Sequence, residues 1–542
     1  WNIYPVAADD PPPLPSLGSL VRSFQPYAVV DPADVPANGV RYHNFLLPLD
    51  PFQLGVTPPQ DLFCAGHTWS PFGDLIVAGG TTFAPGFEGA RLTYAFNPND
   101  PVGSYPSNPT YVPYPNDFGL WVAGPMLEER RWYPTVTLTH PLQRTLGGVP
   151  PREREIALVL GGSDVDPNNP TGQIQAAWNT FESLIVDARA TQATGSGLVK
   201  DFITVGATDY YVWPGPGTPG NPPTSMLVDQ DWFEEYPRCH LLTTGEVFFS
   251  GYAPRWARMD PEQMNPWTSA VGPPFSSNWQ APRHDGSHLL FPNLGGQFDR
   301  VLRIGGADVH FYEYSLFGAT DTVESIVASA TNAVWQTEPS LPNTNPPQAN
   351  GRYFTNAVIL PDASILLVGG ANRLPGVYDP VQSSQPWLKP LLFQGGVWNT
   401  TLPDAASVRD YHSTAVLLPD GRVFTGGGNN RSWDYQIFNP RYRTDPTLLA
   451  QRPGNVAFVP PLSSDPDFDA VALTYGATYT IVCDPLPTGV VLDRVVLVAP
   501  GSTTHHSDMN QRHVQLPINQ ETATPNQLEF TAPANSRQAP RG

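Results

Sequence analysis

The sequence predicts an all-β protein, a β-propeller followed by a small antiparallel β-sandwich, and three observations predict it. The 542 residues include 64 prolines and 47 glycines and show no long helical apolar periodicity, so short strands and loops dominate. A hairpin ending in glycine recurs along the chain. After about residue 454 it gives way to plainly alternating strands. A propeller grows by adding blades rather than by thickening one core, which suits a chain too long for a single compact core.

The clearest hairpin is RDYHSTAVLLPDGRVFTGGG at 409–428. An apolar run at 415–418 meets the turn Asp420-Gly421, and Val423-Phe424 then runs into Gly426-Gly427-Gly428. Terminal glycines suit a bulge or a close backbone approach. Copies close at Gly79-Gly80, Gly161-Gly162, Gly305-Gly306 and Gly369-Gly370, with a weaker one at Gly251. Arg131, Arg238, Arg283, Arg352 and Arg409 stand ahead of most of them. From Gly251 onward the spacings of 54, 64 and 57 residues each fit one four-stranded blade.

Counting back fifteen residues from the first glycine reaches Cys64, Phe354 and Tyr411, so these share a repeat position. Tyr133 joins them because it follows Arg131 by two residues, as Tyr411 follows Arg409. Equivalent positions ring a propeller's channel mouth, so Cys64, Tyr133 and the pair Tyr411-His412 are expected to converge. Strand alternation sends Trp132 and Tyr133 to opposite sides.

The domain plan is an extended N-terminal segment over 1–60 that closes the propeller, the propeller over 61–450, and the sandwich over 451–542. Sandwich strands are expected within 473–484, 492–501, 512–518 and 527–533. Between two of them lies GSTTHHSDMNQR, 501–512, a polar turn with adjacent histidines that can reach the channel.

The net charge of −20 excludes nucleic acid and anionic membranes as partners, since either calls for a basic face. No stretch approaches a membrane span in length. Trp1 in place of an initiator methionine predicts a trimmed, secreted chain. Of the three cysteines, Cys239 and Cys483 are candidates to pair, leaving Cys64 for chemistry of its own; all three as small buried hydrophobes is the plainer reading. Two phenols and two imidazoles form a nitrogen and oxygen set that favours Cu(II), whereas no paired CxxC spacing supports structural zinc. Taken singly, Tyr133 and Tyr411 read as inner-strand aromatics and His505 as a hydrogen-bonded loop residue.

FCAGH at 63–67, RRWYPT at 130–135, DYHSTAVLLPDGRVFTGGG at 410–428 and STTHHSDMNQR at 502–512 resemble, in order, the four motifs of the copper radical oxidases. That family includes galactose oxidase and glyoxal oxidase, and RRWYPT is nearer the glyoxal oxidase branch. The resemblance covers about residues 60 to 540. It implies a seven-bladed kelch-type propeller with an immunoglobulin-like sandwich behind it. It implies a thioether between Cys64 and a ring carbon of Tyr133, forming a radical cofactor. Tyr133, Tyr411, His412 and His505 become copper ligands, with Tyr411 axial and the general base. His505 is preferred over His506 because it stands six residues before Gln511 of a Gln-Arg pair. The implied reaction oxidises a small primary alcohol or aldehyde with O2, giving hydrogen peroxide.

The sequence departs from the family pattern twice. Galactose oxidase has a tryptophan after the Gly-Gly of the blade bearing the linked tyrosine, where this chain has Ser163-Asp164. Phe83, Phe87 and Trp121 are the candidates to shield the radical instead. Relatives also continue past a segment like 533–536 into one more apolar strand, so a further polypeptide segment is expected to complete the sandwich. The competing reading is a non-catalytic kelch propeller that binds glycan or protein. A hydrolase finds no Gly-x-Ser-x-Gly elbow or convincing carboxylate pair.

Overall fold

The computed structural model describes residues 2–3 and, with gaps, 61–541; the longest stretches outside it are 4–60, 102–117, 202–210, 213–234, 270–282, 309–317 and 373–384. The described residues are β throughout apart from two short helices, Arg441–Thr444 and Pro446–Ala450. The second begins where the Asp445 side chain accepts the Thr447 N–H and a proline takes the first turn.

Each glycine-terminated hairpin is the inner pair of its own antiparallel sheet. Six such sheets follow in chain order, with inner strands Asp61–Trp69, Thr135–Leu138, Cys239–Leu241, Ser287–Leu290, Tyr353–Ile359 and Ser413–Leu417. The first five are meanders at least four strands deep, and the sixth has three described strands.

Strand alternation stacks these sheets face to face. On Val149–Leu160 of the second sheet, Ile156, Leu158 and Leu160 pack with Cys239, Leu241 and Phe249 of the third. Their neighbours Ala157 and Val159 point the other way, onto Ile76 and Ala78 of the first. Similar cores join the third sheet to the fourth, the fourth to the fifth and the fifth to the sixth. Each fully buried aliphatic side chain contributes about 1.5–3 kcal/mol before chain entropy is counted. Seven blades were expected and the described residues show six such sheets; the closing role expected of residues 1–60 falls outside the described residues except for Asn2–Ile3.

The terminal glycines are where one sheet's backbone meets the next. Gly369 has φ +66°, and a Cβ there would sit 2.0 Å from the Arg409 carbonyl oxygen of the following sheet. The adjacent Gly370 N–H donates to that same oxygen at 2.6 Å. No side chain fits such a junction, which is why the glycines recur.

Beyond residue 455, the strands Ala457–Val459, Thr478–Val482, Gln527–Thr531 and Ile518–Thr524 form one sheet. Facing it are Val496–Ala499 and Arg512–Gln515, and Asn2–Ile3 pairs with the former strand from the opposite end of the chain. Leu497 and Val514 fill the space between these sheets with Ile481, Leu528 and Phe530. Val496 and Val498, on the other face of their strand, pack on Val358, Leu417 and Val423 of the fifth and sixth sheets. One strand thus buries both faces and fixes the sandwich against the larger assembly. Cys239 and Cys483 do not pair: all three cysteines are free and buried, with Cys239 in the core between the second and third sheets.

Candidate metal centre

The site is built where the inner strands begin. Cys64, Tyr133, Tyr236, Asp285, Phe354 and His412 all have φ between +51° and +66°, left-handed backbone that side chains rarely adopt. Cys64 and Phe354 interrupt the inner pairing of their strands near its start, and Tyr133, Tyr236, Asp285 and His412 stand just ahead of theirs. Ala65 pairs with Gly79, Thr355 with Gly369 and Ser413 with Gly427, so Cys64, Phe354 and His412 occupy one register position.

This corrects the fifteen-residue count for the sixth sheet. The glycines there that match Gly79 and Gly369 are Gly427 and Gly428, both at positive φ, and not Gly426. His412, not Tyr411, is therefore the repeat equivalent of Cys64, and Tyr411 lies one residue before it.

The bent residues bond one another across sheets. Tyr133 N–H donates to the Cys64 carbonyl at 3.0 Å, Tyr236 N–H to the Tyr133 carbonyl at 2.7 Å, and Phe354 N–H to the Asp285 carbonyl at 2.9 Å. Left-handed backbone turns these amides away from their own ladders and toward the next sheet. Strain of about 1–3 kcal/mol per residue is thereby set against inter-sheet hydrogen bonds at one rim.

A hairpin from the sandwich reaches this rim. Thr503–Thr504 pairs with Ser507–Asp508, leaving His505 and His506 as a two-residue turn at φ +48° and +60°. Turns of that kind favour Asn-Gly, so two histidines there are an outlier that points to function. The hairpin is held along its length. Ser502 Oγ lies 2.5 Å from His67 Nδ1, Trp69 Nε1 donates to the Gly501 carbonyl at 3.1 Å, and Thr414 Oγ1 to the Thr503 carbonyl at 3.1 Å. Gln511 exchanges two bonds with the Ile359 backbone, at 2.7 and 3.0 Å, while Arg512 caps the Leu241 carbonyl. The Gln-Arg pair noted in the sequence is the hairpin's anchor.

The structure brings all five residues singled out by sequence together. Tyr133 and Tyr411 hydroxyls lie 2.9 Å apart. His412, His505 and Cys64 each offer a ligand atom, all within 4.8 Å of one another. The two imidazoles meet edge to face with centroids 4.6 Å apart, and His505 Nε2 is 3.5 Å from Cys64 Sγ. Cys64 and Tyr133 pack in one buried cluster with Tyr236 and Met509. His506 turns away, its Nε2 being 3.1 Å from Arg238 Nη2 and 3.5 Å from Asp285 Oδ1.

Burial governs the electrostatics. It pushes both the Tyr133 and Tyr411 phenols well above the ordinary tyrosine range, and it pushes the His505 imidazole well below the ordinary histidine range, with His412 adding to the effect. Without a cation the cluster holds neutral phenols and a neutral His505 imidazole, the latter with a lone pair to give. A divalent ion would reverse the phenol preference. Two oxygens and two nitrogens converging from two sheets and a hairpin fit a borderline transition metal better than a hard one.

Several contributors escaped sequence reasoning. Trp132 stacks on Tyr133 with centroids 4.7 Å apart and planes 26° apart, so the expected opposite orientation is wrong. Alternation assumes extended backbone, and Tyr133 at φ +60° is not extended. Trp132 is itself bridged to Ser163, each N–H donating to the other's carbonyl at 2.7 Å. Of the expected shields, Trp121 packs on Tyr94 and Phe96 further out in the first sheet. Phe83 and Phe87 lie outside the described residues. Tyr236 and Met509 close the back of the Cys64 and Tyr133 cluster. Arg238 also departs from the arginine series. Arg131 pairs with Glu182, Arg283 with Glu324 and Arg409 with Asp434, Arg352 lies over the Trp387 ring, and Arg238 meets His506.

His67, the hairpin's anchor, gives a stability prediction. Burial holds its pKa at about 4, against 6.5 for an ordinary histidine. The unfolded chain therefore takes a proton that the folded one refuses. Its contribution is complete above about pH 6.5 and is lost as pH falls toward 4, amounting to about 3 kcal/mol. Urea unfolding midpoints of wild type and His67→Asn between pH 7 and 4 check this: the variant's pH dependence should be shallower by that amount.

Fold and site together define a galactose oxidase-like architecture. Residues 287–454 match the family described as glyoxal oxidase N-terminus, and 461–542 match the galactose oxidase-like, early set domain. The chain is 29% identical over 271 residues to an aldehyde oxidase GLOX1 of Arabidopsis thaliana, covering 45% of this chain and 40% of that protein. It is 28% identical over 231 residues to a galactose oxidase of Gibberella zeae, covering 40% of this chain and 31% of that protein. These matches span less than half of either relative. A fungal alcohol oxidase solved in complex with copper superposes with a TM-score of 0.57 at 17% identity, covering 89% of this chain and 82% of that one. Over these stretches the chain is similar to glyoxal oxidase-like and galactose oxidase-like proteins. Among the described residues no helix is long and apolar enough to cross a membrane.

Proposed function

We propose that the protein is a secreted copper-dependent oxidase of small primary alcohols or aldehydes. The supporting observation is the convergence of Tyr133, Tyr411, His412 and His505 beside the Cys64 thiol. In this reading the sheets of 61–450, completed to seven kelch-type blades, carry three of the ligands. The immunoglobulin-like sandwich of 451–542 supplies His505.

The overall reaction takes an alcohol and O2 to an aldehyde and hydrogen peroxide, two electrons and two protons passing to O2. An aldehyde reacts as its hydrate and yields the acid. Copper, when bound, supplies one of the two one-electron acceptors this requires. Tyr133 supplies the other, as the one-electron-oxidised phenoxyl of a ring whose carbon is joined to Cys64 sulfur, and returns to the phenol when it accepts hydrogen. Making that thioether removes the thiol hydrogen and one ring hydrogen, and O2 takes up both with their electrons as peroxide. In turnover Tyr411, as phenolate, accepts the hydroxyl proton of the substrate. Tyr133 accepts the hydrogen atom from the adjacent carbon. Burial of both phenols keeps water from the radical and from the proton path.

Trp132 shields the oxidised ring in place of the tryptophan that Ser163 and Asp164 do not provide. Trp132→Ala should shorten the lifetime of the oxidised chromophore several-fold, since a stacked aromatic pair contributes about 0.5–1.5 kcal/mol. The decay of its visible absorption after chemical oxidation measures this. A peroxide-coupled screen of alcohols, aldehydes and sugars with copper-loaded protein tests the function as a whole. Peroxide from no substrate, with copper bound stoichiometrically, would overturn it.

A further inference from the structure

We infer that Tyr236 and Thr504 are positioning residues that hold His505 with its proton on Nδ1 and its Nε2 lone pair free for the metal; this rests on the copper reading above. Thr504 Oγ1 lies 2.8 Å from His505 Nδ1. Burial raises the Tyr236 phenol pKa, the Thr504 hydroxyl partly offsets this as a donor to the phenol oxygen, and the Tyr236 hydroxyl in turn faces the Ala65 carbonyl at 3.4 Å.

The direction of this chain follows from its last member. A backbone carbonyl only accepts, so the phenol gives its one proton to Ala65 and accepts from Thr504. The threonine hydroxyl has then used its own proton and only accepts from the imidazole. Nδ1 is therefore the protonated nitrogen of His505. Its Nε2 faces Cys64 Sγ at 3.5 Å, inside the group formed with His412. Metal-binding histidines are commonly oriented this way, by a partner on the nitrogen that does not ligate.

Tyr236 is itself held firmly. It is buried, takes left-handed backbone at φ +51°, and donates its N–H to the Tyr133 carbonyl at 2.7 Å. Its ring lies 5.0 Å from that of His505 and stands edge-on to Tyr133 at 5.2 Å. The wedge limits rotation of the imidazole while the hydroxyl sets its tautomer. The hydrogen-bond chain ends one residue after Cys64, so it ties the sandwich's histidine to the strand bearing the sulfur.

The test uses the full chain and Cu(II) alone, titrated against a competing chelator, with the electron paramagnetic resonance spectrum of the bound ion as second readout. Thr504→Val should weaken copper binding by about 10–100-fold and alter the nitrogen hyperfine pattern. Thr504→Ser, which keeps the hydroxyl, should restore both. Tyr236→Phe removes one oxygen and preserves the wedge, so it should weaken binding by a smaller factor in the same direction. A folded Thr504→Val or Tyr236→Phe with wild-type affinity and spectrum would overturn the positioning role alone. Failure of the unmodified protein to bind copper would overturn the copper reading and this inference with it.

Discussion

Tyr133→Phe should lower copper-dependent peroxide production by about 10⁴-fold or more, the scale seen when one member of a catalytic unit is removed. The substitution deletes a single oxygen, the one that lies 2.9 Å from the Tyr411 hydroxyl. The remaining ring keeps its stack on Trp132 and its place among Cys64, Tyr236 and Met509. Its backbone demands nothing a phenylalanine cannot give, because Phe354 adopts φ +56° at the equivalent place in the fifth sheet. Loss of one buried hydrogen bond costs about 1 kcal/mol, so the melting temperature should fall by only a few degrees. Peptide mapping adds an independent readout. In copper-treated wild type the Cys64 peptide should stay joined to the Tyr133 peptide after reduction, and in the variant the two should separate. A variant that keeps even a tenth of wild-type peroxide yield, or a wild type whose peptides separate, removes Tyr133 from the redox role.

The repeated sheets were legible in sequence because a glycine pair marks a place where the backbone is both left-handed and in contact with the next sheet. Gly369 satisfies both conditions, and no other residue type can. The rim positions were less legible for the same reason. Three glycines at 426–428 left two ways to count, and only the pairing of Ser413 with Gly427 selects His412 over Tyr411. Trp132 was misplaced because alternation fails at a residue with positive φ. Tyr236 was overlooked because its hairpin shows one glycine, Gly251, and its arginine follows the bend instead of preceding it. Four sandwich strands lay where alternation put them, Ala457–Val459 and Ile518–Thr524 were not anticipated, and the hairpin's anchors, such as His67 on Ser502, link positions 435 residues apart and have no local signature.

One physical device recurs through the site. Each of six inner strands begins close to a non-glycine residue at positive φ, and the hairpin that meets them turns through two more. Such strain persists only where surrounding structure over-determines it, and here inter-sheet bonds from Tyr133, Tyr236 and Phe354 do so. The arrangement aims side chains from separate sheets at one point without requiring any strand to leave its ladder. It also makes the site depend on docking of the sandwich, since His505 has no route to the rim except through the hairpin.

His505→Ala and His506→Ala should therefore differ sharply although the residues are neighbours with similar backbone. His505 puts Nε2 beside Cys64 and faces His412 edge-on, so its loss removes one of two imidazole donors. Copper affinity should fall by more than about 100-fold, beyond the range expected from losing an outer partner. His506 instead contacts Arg238, Asp285 and the Phe354 ring. Removing it should change copper affinity by less than about tenfold, because Arg238, Asp285 and Phe354 lie outside the proposed ligand set. Any defect in His506→Ala should appear as thermal destabilisation, from an Arg238 and an Asp285 left without their shared partner. Copper titration and thermal melts of the two variants in parallel decide the assignment. Equal losses of affinity would mean that the turn acts as a unit, and a larger loss in His506→Ala would transfer the ligand role to that residue.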